Sequence, residues 1–177
     1  MKKNIIFIDL ALLILALDQL TKWFVIEHMI KPITNLSTTP LFTWMWQSGE
    51  QIPYQHIPFT PFFNIVMVWN KGISFGLFND ATHGPIVLTL ISSIIAIVFL
   101  IWLLRTDSIT HMIACALIIG GAVGNIMDRI RFEAVIDFLD FHAYGYHFPA
   151  FNVADSAICI GISMIVIHSL FFEDKTV

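Results

Sequence analysis

The sequence predicts an all-α integral membrane protein in which four transmembrane helices carry a small extracytoplasmic β-sheet and a loop or helix lying on the membrane. Three observations predict it. Hydrophobic residues make up 57% and charged residues only 12% of the 177 positions, more apolar surface than one soluble core of this size can hide. Four stretches, 4–26, 84–104, 109–127 and 152–172, approach the roughly 20 helical residues needed to cross a hydrocarbon core about 30 Å thick. Between the first two, Pro32, Pro40, Pro53, Pro58 and Pro61 break any helix, while Phe62 to Trp69 is a β-branched and aromatic run suited to a strand.

The first stretch follows Lys2 and Lys3 as a secretory leader would, but it runs too long and lacks a small-x-small cleavage site, so it reads as a retained anchor. Asp18 and Lys22 lie one turn apart on it, an i, i+4 ion pair that stabilises an exposed helix end by about 0.2–0.5 kcal/mol. In the connection 29–83, Trp44, Trp46 and Trp69 are placed to reach headgroup depth. The second stretch carries no charge and turns tightly through Arg105 to Ser108 into the third. There Gly120 and Gly124 have the small-xxx-small spacing that lets helix backbones approach closely, and Gly121, Asn125 and Asp128 follow one face. The connection 128–151 includes the acidic and aromatic Val135–Phe141, expected as a loop. Asn152 can cap the fourth helix, one turn before Asp155. No repeat is visible, so 1–177 is expected to be one membrane domain.

Four spans place both termini on one side, with Lys2, Lys3, Arg105 and Lys175; Lys31, Lys71, Arg129 and Arg131 fall on the other. The count ties, and the N-terminal lysine pair directs the termini to the cytoplasm. Segments 29–83 and 128–151 then lie together outside. A net charge of -4 leaves no basic patch and argues against nucleic acid. Cys115 and Cys159 fall in apolar stretches where a thiol acts as a small hydrophobe, so no disulfide is implied. The seven histidines show no HxxxH or HExxH spacing, and His142 and His147 stand five apart in a loop, so no metal set is expected.

Charge in or against lipid is costly and marks function by default. Asp137 and Asp155 flank one apolar segment. At Asp155 the helix N-terminus favours the anion, whereas apolar surroundings and a second carboxylate favour the acid. If Asp137 folds back over that helix end, the two carboxyls share a proton. One then takes a proton from water while the other hydrogen-bonds the carbonyl under attack, hydrolysis with no metal, cofactor or covalent intermediate. Ser74 and Ser156 have no paired base in the sequence. Two other readings stay open: a small proton-coupled transporter or channel, which requires acids near the midplane and inverted repeats, and a non-catalytic membrane chaperone.

Five blocks, Asp18-Gln19-Leu20-Thr21-Lys22, Asn70-Lys71-Gly72-Ile73-Ser74-Phe75-Gly76, Gly121 to Arg129, Val135-Ile136-Asp137-Phe138 and Phe151-Asn152-Val153-Ala154-Asp155, together resemble the signature of the bacterial lipoprotein signal peptidases, the type II signal peptidases. The resemblance implies a four-helix, multi-pass aspartyl endopeptidase of the bacterial inner membrane, its site near the outer leaflet and its sheet and loop in the periplasm. The implied substrate is a diacylglyceryl-modified prolipoprotein, cut just before the lipid-bearing lipobox cysteine. Membrane lipids are the implied surroundings and globomycin the implied inhibitor, and the chain is expected to act as a monomer. By resemblance Asp137 and Asp155 are the catalytic pair; Asn70, Gly72, Asn125, Arg129 and Asn152 line the site for substrate or inhibitor; Asp18, Lys22 and Asp128 support it, Asp128 by holding Arg129 or a loop amide. Two departures stand out: Ser74 occupies a position usually held by Ala, and the proline-rich stretch 33–61 is longer than the family's usual first outer connection.

Overall fold

The computed structural model describes residues 2–48, 51–72 and 84–172. Helix α1, Lys2–Phe24, runs without a break into a π-helical turn, Val25–Ile30, and a short last turn α2, Lys31–Ile33. It therefore passes the expected end at residue 26. Pro32 sits in the first turn of α2, directly after the π-helical turn. A short helix α3, Leu41–Trp46, follows Pro40. The remaining helices are α4, Gly84–Arg105, α5, Ile109–Phe132, and α6, Val153–Phe171. Ser74, His83 and Lys175 lie outside the described residues.

The strands β1, Gln55–Thr60, β2, Phe63–Asn70, β3, Val135–Ala143, and β4, Tyr146–His147, pair antiparallel in that order. The run expected as a strand is β2, displaced by one residue. Pro58 is tolerated because β1 is an edge strand whose register breaks between Pro58 and Thr60. Asp137 lies in β3 rather than in a loop, since β3 pairs with β2 from Asn70↔Val135 through Val68↔Asp137 to Phe63↔Phe141. The register shifts between Ile65 and Val68, beside Asp137, where a bulge re-aims side chains. Tyr144 and Gly145 join β3 to β4 with φ of 51° and 82°, the positive pair that a type I′ hairpin turn requires.

Helix α5 is central and packs on α1, α4 and α6. Its glycines allow that approach. A Cβ on Gly120 would stand 2.5 Å from the Ala11 carbonyl oxygen of α1, and one on Gly124 2.5 Å from Asp18 Oδ2. A Cβ on Gly121 would overlap the Ala154 carbonyl oxygen of α6. Helices α4, α5 and α6 are long and apolar enough to cross a membrane. The first and last of these turn Ile86, Leu90, Ile94, Ile160, Val166 and Leu170 outward. The fold is thus helical, with three candidate membrane spans and a small antiparallel sheet.

A second apolar core lies where the π-helical turn meets the sheet: Val25, Ile26 and Ile30 close on Ile65, Met67, Ile136, Phe138, Phe132 and Trp44. Trp44 is 3% exposed and packs within that core, whereas Trp46, two residues on and on the other side of α3, is 77% exposed. Trp44 is therefore a packing residue rather than a headgroup anchor.

Candidate active site

Local sequence logic sets Asp155. Asn152 caps α6 in extended conformation, and its Oδ1 accepts the Asp155 amide at 2.9 Å while Asp155 Oδ2 accepts the Asn152 amide at 3.3 Å. This reciprocal capping box fixes the carboxylate at the start of the helix. Tertiary structure sets Asp137. Its Oδ1 accepts from Asn152 Nδ2 at 2.8 Å and its Oδ2 from Asn70 Nδ2 at 3.0 Å, Asn70 being the last residue of β2. Asn125 of α5 completes the group, donating through Nδ2 to Asp155 Oδ1 at 2.8 Å and lying, through Oδ1, 3.2 Å from Asn152 Nδ2. One asparagine, Asn152, thus contacts both acids.

Behind this group lies a fully buried charged cluster. Lys22 Nζ is 2.7 Å from both Asp18 Oδ2 and Asp128 Oδ2, with no side-chain exposure on any of the three. The pair expected at an exposed helix end is buried because α5 and α6 close over it. Each acid also holds backbone: Asp18 Oδ1 accepts the Ala154 amide at 3.0 Å, and Asp128 Oδ2 accepts the Ile136 amide at 3.2 Å. These are the residues immediately before Asp155 and Asp137. Lys22 Nζ reaches Asn125 Oδ1 at 3.4 Å, which leaves the Asn125 NH₂ facing Asp155. One lysine between two carboxylates supplies the charge that such a buried site needs, since an unpaired ion here would cost several kcal/mol.

A cleft of about 440 Å³ opens at Asp155, lined by Asn70, Gly72, Arg129, Asp155 and the segment Phe148 to Phe151, with Asp137 buried behind its partner Asn70. Gly72 donates its amide to Asn70 Oδ1 at 3.1 Å, which orients Asn70 towards Asp137. Arg129 places its charge near Asp155, Asp128 and Asp137, and its buried Nε has no hydrogen-bond partner among the described residues. Burial first, then the neighbouring Asp155 charge, push the Asp137 carboxyl up to about 8, against the opposing pull of Asn70, Lys22 and Asn152. Its surroundings therefore bias Asp137 towards its protonated form.

The ten positions singled out in the sequence, Asp137, Asp155, Asn70, Gly72, Asn125, Arg129, Asn152, Asp18, Lys22 and Asp128, all fall at this cleft or in the network beneath it. Ile73 to Gly76 of the second block, Ser74 included, lie outside the described residues. Two further contributors are not among those ten: Gln19, inside the first block, and Arg131, just past the third. Gln19 donates to Asp128 Oδ1 at 3.0 Å and lies 3.1 Å from Asp18 Oδ2. Arg131 donates to Gln19 Oε1 at 3.1 Å, bonds the Trp44 carbonyl and stacks 4.2 Å over the Trp44 ring, tying α3 to the network. Four polar residues in five, Asp18, Gln19, Thr21 and Lys22, on an apolar helix are the available signal for Gln19.

Residues 10–171 match the family model described as signal peptidase (SPase) II. The chain is 37% identical over 166 residues to a lipoprotein signal peptidase of Syntrophotalea carbinolica, covering 92% of this chain and 89% of that one. It is 34% identical over 175 residues to one of Acinetobacter baumannii, covering 97% and 87%. A solved structure described as a bacterial membrane enzyme superposes with a TM-score of 0.71 at 24% identity, over 100% of this chain and 93% of that one, a likeness of fold alone. The match across nearly the whole length, with the acids and asparagines of the cleft inside it, places the chain in the signal peptidase II family.

Proposed function

We propose that in this lipoprotein signal peptidase, an aspartic-type protease of the bacterial membrane, Asp137 and Asp155 are the catalytic pair and the scissile peptide lies in the cleft over them. The observation that carries this reading is the single asparagine on both acids, 2.8 Å from Asp137 and 3.3 Å through its amide from Asp155. Asp137 holds the proton and donates it to the carbonyl under attack. Asp155 accepts from Asn125 and the Asn152 amide, which leaves it the acceptor for the proton of the attacking water. Asn70, Gly72 and Arg129 hold the peptide backbone along the cleft, while Asn125 and Asn152 fix the two carboxyls. Asp18, Lys22 and Asp128 keep the backbone before each acid in place.

The substrate of this reading is a prolipoprotein carrying a diacylglyceryl group, cut on the N-terminal side of the modified cysteine. Its acyl chains hold it in the same bilayer, so lateral diffusion and orientation do much of the binding. The chain acts as one membrane domain and as a monomer in the inner membrane. Helix α1 is the fourth span, turning Leu12, Leu13 and Leu17 outward while keeping Asp18 and Lys22 inside. Both termini are cytoplasmic, the cleft opens near the outer leaflet, and globomycin occupies the same cleft. A proton relay has less support, because the acids stand on a strand and at a helix start rather than in mid-helix.

The experiment is cleavage by purified protein of one precursor with and without the diacylglyceryl group, the product identified by mass. Cleavage of the modified form alone, before the cysteine, is expected. Equal cleavage of both forms contradicts the lipid requirement, and cleavage elsewhere contradicts the assigned bond.

A further inference from the structure

Asp140 lies on β3 beyond Asp137, buried at 5% exposure. Asn64, its partner across the β2–β3 ladder, donates through Nδ2 to Asp140 Oδ2 at 2.7 Å. The other partner is His147 of β4, whose Nδ1 stands 2.9 Å from both carboxylate oxygens. A carboxylate only accepts, so that nitrogen carries the proton in either charge state of the ring. The His142 ring stacks on His147 at 4.9 Å between centroids. Burial alone would push the Asp140 carboxyl up, but Asn64 and His147, helped by His142, hold it below the usual range. This cluster touches neither Asp137 nor Asp155, and the chemistry above makes no use of it.

Its place in the chain gives it a use. The four residues that follow His147, Phe148 to Phe151, form one wall of the cleft. Backbone bonds tie that wall to β3 at its two ends: the Phe148 amide donates to the Phe141 carbonyl at 2.8 Å, and the Phe151 amide to the Leu139 carbonyl at 3.1 Å. Between them Pro149 has no N–H to give. The His147–Asp140 link is the side-chain tie where the wall begins.

We propose that His147 is a positioning residue: by clasping Asp140 it fixes the Phe148–Phe151 wall and thereby the register in which the substrate peptide lies over Asp137 and Asp155. The proposal rests on the reading of that cleft as the substrate site. A wall that holds the peptide before and during reaction contributes to binding in both states, so its loosening shows mainly in KM. A loss of folded protein would instead lower the apparent kcat and leave KM unchanged.

The test is steady-state cleavage of a lipid-modified precursor by His147→Ala, His147→Asn and Asp137→Asn beside the wild type. In His147→Ala, KM is expected to rise about fivefold or more with kcat within about twofold. His147→Asn, whose amide nitrogen can take the place of Nδ1, is expected to restore KM. A wild-type KM in His147→Ala, or an equal defect in His147→Asn, overturns the proposal. Should His147→Ala fail to fold, His147→Gln, whose longer donor displaces the tie rather than deleting it, must show a raised KM, and a wild-type KM there is equally contrary. If Asp137→Asn keeps full activity, the reading of the cleft fails; if only the His147 variants match wild type, that reading stands and this inference falls.

Discussion

Asp128 accepts the backbone amide of Ile136 at 3.2 Å, and Ile136 is the residue before Asp137. Asp18 does the same for Ala154, before Asp155, at 3.0 Å. Lys22 lies between these acids at 2.7 Å from each. Three charged side chains on two helices therefore hold the backbone on which two further acids ride. Charge that composition marks as costly in a membrane protein is divided into a pair at the cleft, Asp155 in its lining and Asp137 buried beneath, and a cluster that positions it.

Lys22→Met keeps the volume of the side chain and leaves Asp18 and Asp128 buried without their cation. The expected cost is about 3–5 kcal/mol, read as a lowered thermal midpoint in detergent. Adding Asp18→Asn and Asp128→Asn should recover much of it, because Oδ1 of each new asparagine can still accept the amide of Ala154 or Ile136. No recovery in the triple variant would show that the cluster acts through more than its charges.

Gly121→Ala tests the seam between α5 and α6. The new methyl would meet the Ala154 carbonyl, which is backbone, so α6 must shift and carry Asp155 with it. Overpacking of this kind costs about 1–3 kcal/mol. A shift near 1 Å should lower kcat by about 100-fold, measured in single turnover on folded protein. Unchanged kcat would mean that the acids tolerate movement between the two helices.

The raised Asp137 carboxyl fixes two pH dependences. If the proton on Asp137 is needed for chemistry, kcat/KM should fall as pH rises through about 8. Between the ordinary 3.8 and about 8 the folded state holds a proton that the unfolded state has lost. Stability should therefore decline as pH rises through that window and level off above it. Asp137→Asn should flatten this limb, read as the thermal midpoint against pH. A wild-type midpoint that rises across the window would contradict the assignment.

Asn152→Ala removes the helix cap and the shared donor at once. The cap is worth about 1 kcal/mol, so most of the protein should remain folded. Loss of the donor on Asp137 should lower kcat by about 100-fold, the scale of one oriented hydrogen bond at a reacting centre. A kcat within about twofold of wild type would remove Asn152 from the site.

Much of this arrangement is legible in the sequence because it is local. The apolar runs of α4, α5 and α6 mark themselves by length, and Asn152 with Asp155 is a capping signal within four residues. The end of α5 carries no such local mark. It continues to Phe132 through Asp128 and Arg131 because Lys22, Gln19 and the Ile136 amide meet those two side chains, and it stops at Glu133 with φ of 56°. Lys22 and Gln19 are more than a hundred positions away in the chain. The same holds for Asp137, a loop residue by composition and a strand residue once β2 is beside it. Trp44 reads as an interfacial aromatic until Phe132 and Arg131 cover it.

The central claim is that Asp137 and Asp155 act together on one water. Single-turnover cleavage of a diacylglyceryl-modified precursor by Asp137→Asn and Asp155→Asn, each confirmed as folded, tests it most directly. Each should lose at least about 1000-fold in rate, the scale of a lost general acid or base. A near-normal rate in either variant would contradict the account.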